Sequence, residues 1–237
     1  MTKLRLAGME PLTTVEWPGR LAAVLFFQGC PWRCRYCHNA RLVRARSANL
    51  RPWEEALDFL RERRGFLDSV ILSGGEPLFQ PRLLEAAEEI RGLGYDVALH
   101  TNGYDPEHLD RLLDSGTVQM VSMDVKAPFD AYEGVTRRPK SGVVARRSVE
   151  IVLASGVPYE FRTTYHSDLL TAQDLRTIAA DLHAMGAQTY YLQAYRDEGS
   201  PDMALQLTPV EEPAPVLVAG IRRLFTSFGL RGFSNIA

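Results

Sequence analysis

Three cysteines stand within eight residues, at Cys30, Cys34 and Cys37, in the spacing C-x3-C-x2-C, and the rest of the chain has none. Soft thiolates gathered on one short loop suit zinc or an iron–sulfur centre rather than a hard cation. Three ligands leave one corner of a four-metal cluster for something other than a side chain. The segment Cys34-Arg35-Tyr36-Cys37-His38 also contains the C-x-x-C-H pattern of haem attachment, and His38 is available as a fourth zinc ligand. Haem would leave Cys30 idle, and a histidine adjacent to Cys37 closes a tetrahedron poorly. A metal-free hydrophobic plug fits badly beside Arg33, Arg35 and His38. A disulfide framework would use an even number of cysteines and scatter them.

Other candidate residues come in short polar motifs. Ser73-Gly74-Gly75-Glu76-Pro77 joins close backbone approach to a carboxylate, and taken alone it is an ordinary turn. His100-Thr101-Asn102-Gly103 adds a histidine and an amide. In Met123-Asp124-Val125-Lys126, alternation along an extended chain puts Asp124 and Lys126 on one side as a polar pair. Arg162 lies among apolar neighbours, where a guanidinium requires an anion, either an internal carboxylate or a ligand's. Arg196 follows in Gln193-Ala194-Tyr195-Arg196.

The elements that must position these residues alternate regularly. Strand-like runs at 22–27, 69–72, 97–101, 120–124, 160–165 and 189–193 are separated or followed by helical spacing at 53–64, 81–93, 106–114, 143–154, 171–185 and 209–228. Pro81 and Pro106 suit first helical turns, and Gly94, Gly116, Gly156 and Gly186 suit helix ends. Six βα units imply an α/β fold with a parallel sheet, open or barrel-like but short of a full eightfold barrel, with ligands beyond the carboxyl ends of the strands. Each of these motifs follows or ends such a strand, except Arg162, which sits inside the fifth. The 126–142 connection, with the basic run Arg137, Arg138 and Lys140, reads as a solvated loop or a partner contact.

Composition narrows the class. The 237 residues are 46% hydrophobic and 24% charged, enough for a sizeable core. With 27 Lys+Arg against 29 Asp+Glu, no global field favours nucleic acid or an anionic membrane. The apolar run at 21–27 is far below the roughly 20 residues that span a bilayer. The start of the chain lacks an export signal, so a cytoplasmic location is expected. The expected organisation is one domain over 1–237, with a 1–20 extension, a 21–208 core and a 209–237 helix and tail.

C-x3-C-x2-C with Tyr36 before the last cysteine resembles the signature of the radical S-adenosylmethionine (SAM) enzymes. The resemblance implies a partial (β/α)6 TIM-type barrel and a [4Fe–4S] cluster on Cys30, Cys34 and Cys37, with SAM on the open iron. Reduction of that cluster cleaves SAM to a 5′-deoxyadenosyl radical. It further implies that Gly74, Gly75 and Glu76 hold the SAM amino group and that Asp124, Lys126 and Arg162 meet its carboxylate or ribose. Tyr36, His38, Asn102 and Arg196 complete the expected contacts. His100 stands where many members carry Asp, which removes a carboxylate from a cation site some relatives possess. W-P-G-R at 17–20, the cysteine motif extended to Asn39, M-D-V-K-A-P and F-R-T-T together are most similar to the anaerobic ribonucleoside-triphosphate reductase activating proteins. The implied reaction is abstraction of a glycine hydrogen from that partner, with an electron from a flavodoxin- or ferredoxin-type donor. Pyruvate formate-lyase as partner, a small-molecule enzyme of the 7-carboxy-7-deazaguanine synthase kind, and a non-catalytic electron carrier are the alternatives.

Overall fold

The computed structural model describes residues 3–197 and 199–233. Its centre is an eight-stranded sheet whose spatial order follows the chain from β1 to β8. The strands are β1 (Leu6–Thr13), β2 (Ala22–Phe27), β3 (Ser69–Gly74), β4 (Asp96–Thr101), β5 (Met120–Asp124), β6 (Tyr159–Tyr165), β7 (Thr189–Ala194) and β8 (Ser227–Arg231). β1 runs antiparallel to β2, and every later neighbour is parallel. β1 and β8 do not pair, so the sheet is not a closed barrel.

All six expected strands are present, and β1 and β8 are additional. Helices α1 (Trp53–Glu62), α2 (Leu83–Gly92), α3 (Pro106–Asp114), α5 (Ser141–Ala154) and α6 (Ala172–Ala184) match expected positions, with short α4 (Tyr132–Thr136) before α5 and short α7 (Met203–Leu207) after β7. Gly94, Gly116, Gly156 and Gly186 all take positive φ just after helices, the conformation that lets a glycine end one. Pro106 opens α3, whereas Pro81 precedes α2 by two residues. The expected helix over 209–228 is corrected: α8 covers only Pro215–Arg222, and the chain then extends into β8. The 126–142 connection is not simply a loop, since it contains α4 with Tyr132 fully buried. Residues 1–2 and 234–237 of the expected extension and tail lie outside the described residues.

Alternation divides each strand between two faces. Ala23, Leu25 and Phe27 of β2, with Val70, Leu72, Val97 and Leu99, join the main core under the helices. The opposite residues Ala22 and Val24, with Ile71 and Ala98, make a small second cluster closed by Trp17, Phe26 and Met120. Farther along this inner face the register turns polar, pairing His100 with Ser122, Ser122 with Glu160, and Asp124 with Arg162. The inner face therefore has an apolar floor and, toward the carboxyl ends of its strands, a charged rim.

Candidate active site

The cysteine loop leaves β2 and is fixed through its backbone. Gly29 N–H donates to Leu42 O at 2.7 Å and Cys30 N–H to Val43 O at 3.0 Å. On its other flank, Arg33 N–H donates to Thr136 O at 2.9 Å and Arg35 N–H to Val135 O at 3.2 Å, so α4 supports the loop. Trp32 meets Tyr132 edge-on, with ring centroids 5.8 Å apart. Arg35 pairs with Asp202 at 2.8 Å. All three cysteines are free, Cys30 and Cys34 buried and Cys37 half-buried. Burial pushes the Cys30 thiol up to about 12 and Cys34 up to about 11, and raises Cys37, while Lys126 opposes the last two shifts. Among the described residues no three His, Cys, Asp or Glu side chains are gathered as a metal site.

The glycines after β3 sit where only glycine fits. A Cβ on Gly74, at φ +124°, would collide with the Phe27 backbone, and one on Gly75 would lie 2.6 Å from Gly29 O and 2.8 Å from Leu42 O. This close approach brings Glu76 beneath the cysteine loop, where Glu76 N–H donates to Gly29 O at 2.9 Å. The Glu76 carboxylate, 1% exposed, accepts from Leu78 N–H at 3.0 Å, Thr101 Oγ1 at 2.6 Å and Asn102 N–H at 2.8 Å. Burial raises it to about 7 despite those three donors. Asn102 in turn donates from Nδ2 toward Cys30 Sγ at 3.6 Å, and its Oδ1 is buried without a partner.

Asp124 and Lys126 form the expected pair at 3.0 Å, and Arg162 finds its anion internally at Asp124, 3.2 Å away. Burial alone would raise the Asp124 carboxyl, but Lys126 and Arg162 outweigh it and hold it down at about 2. Arg162 also lies 3.8 Å from Glu160, which Arg231 of β8 binds through both oxygens at 2.8 Å. Lys126, Asp124, Arg162, Glu160 and Arg231 thus alternate in sign and sum to one positive charge. The Lys126 ammonium stands 5.4 Å from the centre of the Tyr36 ring, whose buried hydroxyl has no partner. His100 Nδ1 approaches Glu16 at 3.7 Å. Burial holds its pKa well below the usual value, so the ring is neutral, and Nε2 is buried without a partner.

The structure therefore brings together Cys30, Cys34, Cys37, Tyr36, Gly74, Gly75, Glu76, Asn102, Asp124, Lys126 and Arg162. His38 and Arg196 are exposed at the margin. The sequence reading missed Thr101 as a ligand of Glu76, and it missed Tyr132, Glu160 and Arg231. Glu160 had a signal, since it lies two residues before Arg162 on the same strand face; Tyr132 and Arg231 had none.

The donor set fits the implied cofactors. Three soft sulfurs suit an iron–sulfur cluster, and the buried Asn102 Oδ1 and Tyr36 hydroxyl lack partners beside them. A buried carboxylate and a cationic row face the same end of the sheet, opposite in sign to the ammonium and carboxylate of an amino acid.

Comparison with known proteins gives the same assignment. The family model described as the Radical SAM superfamily matches residues 24–185. A Methanocaldococcus jannaschii protein named for glycyl-radical enzyme activation is 27% identical over 215 residues, covering 88% of this chain and 87% of that protein. The pyruvate formate-lyase-activating enzyme of Clostridium pasteurianum is 31% identical over 144 residues, but the match covers only 58% of this chain and 59% of that enzyme. Among solved structures, Streptococcus suis SuiB bound to S-adenosylmethionine superposes with a TM-score of 0.60 at 13% identity, over 85% of this chain and 47% of SuiB. The chain belongs to the radical SAM superfamily, whose members carry a [4Fe–4S] cluster and S-adenosylmethionine.

Proposed function

We propose that this protein is the activating enzyme of a glycyl radical enzyme, specifically of an anaerobic ribonucleoside-triphosphate reductase, working in the cytoplasm. The observation that carries the activase reading is the match to the M. jannaschii protein, which runs along nearly the whole of both chains. The reductase as partner rests on the residues of W-P-G-R, the extended cysteine motif, M-D-V-K-A-P and F-R-T-T.

Cys30, Cys34 and Cys37 would hold the cluster, and when bound the cluster and SAM together supply reductive cleavage of SAM to a 5′-deoxyadenosyl radical. The protein's share is positioning and electrostatics. Glu76, anchored by Leu78, Thr101 and Asn102, presents a carboxylate to the SAM ammonium. The row from Lys126 to Arg231 carries a net positive charge for the SAM carboxylate, with Asp124 available to the ribose. Asn102 donates toward the Cys30 sulfur. The floor of Ala22, Val24, Ile71 and Ala98 under Trp17 keeps water from below the rim, which strengthens each of these interactions.

The test is anaerobic loading with iron and sulfide, then SAM and a reductant. An activase releases 5′-deoxyadenosine and raises a glycyl radical signal in electron paramagnetic resonance of the mixed reductase. A signal in pyruvate formate-lyase and none in the reductase would transfer the assignment to that partner, which the Clostridium match supports as the second reading. A metal centre that forms but releases no 5′-deoxyadenosine would leave an electron carrier.

A further inference from the structure

The chain carries a slight net negative charge of −2, yet its cations are not evenly spread. From 17 to 53 there are seven arginines and no carboxylate, and from 134 to 149 there are five cations and again no carboxylate. The fold joins these two segments. The backbone bonds from Arg33 to Thr136 and from Arg35 to Val135 place the second segment against the cysteine loop, and those from Gly29 to Leu42 and Cys30 to Val43 place residues 40–46 on its other flank. Arg41, Arg44 and Arg46 are exposed on one side and Arg137, Arg138 and Lys140 on the other. Among the described residues none of these six pairs with a carboxylate.

The basic turn is also held in an unusual conformation. Among the described residues, Arg137 and Lys140 are the non-glycine residues with positive φ, at 52° and 61°. Glu133, the nearest carboxylate in sequence, is spent on the backbone: it accepts from Lys140 N–H at 2.6 Å and so neutralises no side chain of the turn. Left-handed residues of this kind persist where the surroundings fix them, often at functional surfaces.

We infer that these exposed cations, carried on the two segments that flank the cysteine loop, dock an acidic redox protein that delivers the electron for SAM cleavage. The inference rests on the radical SAM assignment and not on which glycyl enzyme is the partner. A protein whose glycine gives up hydrogen must reach the inner face, where the charged rim lies. An electron donor needs only to approach the sulfurs, and Arg33, exposed here, donates to Cys30 O at 2.6 Å. The docked donor gives up one electron and is oxidised by one; the cluster on the three cysteines takes it up. Complementary charge steers such brief encounters, raises their on-rate and makes them sensitive to salt.

The experiment uses the anaerobically loaded full chain and compares two reductants, a reduced flavodoxin of negative net charge and photoreduced 5-deazariboflavin, which needs no docking. The variants are R41E/R44E/R46E and R137E/R138E/K140E. With flavodoxin, each variant should release 5′-deoxyadenosine about tenfold more slowly or worse, and raising salt should slow the unaltered protein likewise. With deazaflavin, the variants should match the unaltered protein within about twofold, and calorimetric titration with flavodoxin should show weakened binding in the variants. Unchanged flavodoxin-driven rates would overturn the inference. So would equal losses with both reductants, which would put the arginines in service of the cofactor. Normal SAM cleavage in the variants with flavodoxin but lost glycyl radical formation would assign the surface to the glycyl protein instead, and again overturn it.

Discussion

Asn102 lies against Cys30, its Nδ2 3.6 Å from the sulfur, while its own backbone N–H is held by Glu76 at 2.8 Å. One residue thus ties the loop after β4 to both the loop after β3 and the cysteine loop. Hydrogen bonds to cluster sulfurs raise reduction potentials by stabilising the more negative state. Asn102→Ala should leave iron content after loading unchanged, shift the midpoint potential to more negative values, and cost about 1 kcal/mol of stability. Voltammetry of the loaded variant checks it; an unmoved potential would show that the contact carries no electronic weight.

Glu76 makes stability fall with pH. Its carboxyl is raised from 4.5 to about 7 in the fold, so the folded chain holds a proton there that the unfolded chain has released. The stabilisation is complete below about pH 4.5 and lost as pH rises toward 7, amounting to roughly 3 kcal/mol. Glu76→Gln should flatten that part of the urea-unfolding profile. An ammonium docked on Glu76 would expel the proton, so SAM binding at pH 6 should release protons, measurable by calorimetry in buffers of different ionisation enthalpy. Binding enthalpies independent of buffer would disprove the contact.

Asp124 acts in the opposite sense. Held at about 2 against an ordinary 3.8, it contributes stability above pH 4 that disappears as pH falls toward 2. Asp124→Asn should cost about 2 kcal/mol near neutrality, and its deficit should vanish in that acid window. A deficit of constant size across the window would mean that packing, not charge, is what the carboxylate supplies.

Two glycines with positive φ should differ sharply when given a methyl group. Gly74→Ala drives a Cβ into the Phe27 backbone and should cost 3 kcal/mol or more, on the order of the largest single-site effects. Gly116→Ala, at φ +69° with open space around it, should cost only about 1 kcal/mol. Thermal unfolding of the two variants decides, and equal losses would mean that conformation rather than collision dominates at Gly74.

The parallel strands were legible because burial on both faces writes them as near-continuous apolar runs, such as Ala22–Phe27, between glycines and charged turns. β1 was not, since Gly8 and Pro11 interrupt it and its pairing with β2 slips twice. β8 was hidden by the apolar spacing of α8 continuing through Leu224, Phe225 and Phe228, although its middle residue, Gly229, leaves no room for a side chain against the Tyr191 ring. In the site, motifs within one loop could be read, because the Gly-Gly-Glu turn, ordinary by itself, follows a strand next to the one that carries the cysteine motif and is followed in order by the other polar strand ends. The Glu160–Arg231 bond joins residues 71 apart, and nothing local in either announces the other.

The strictly consecutive strand order has a meaning for biogenesis. Each strand meets its partner as soon as it is made, so the sheet can grow edge to edge while the chain leaves the ribosome. Glu160, on β6, is then buried with Arg162 as its sole cationic neighbour in the row until β8 arrives with Arg231. A nascent chain halted before β8 would have every cysteine and both glycines of the cradle, yet an unfinished rim.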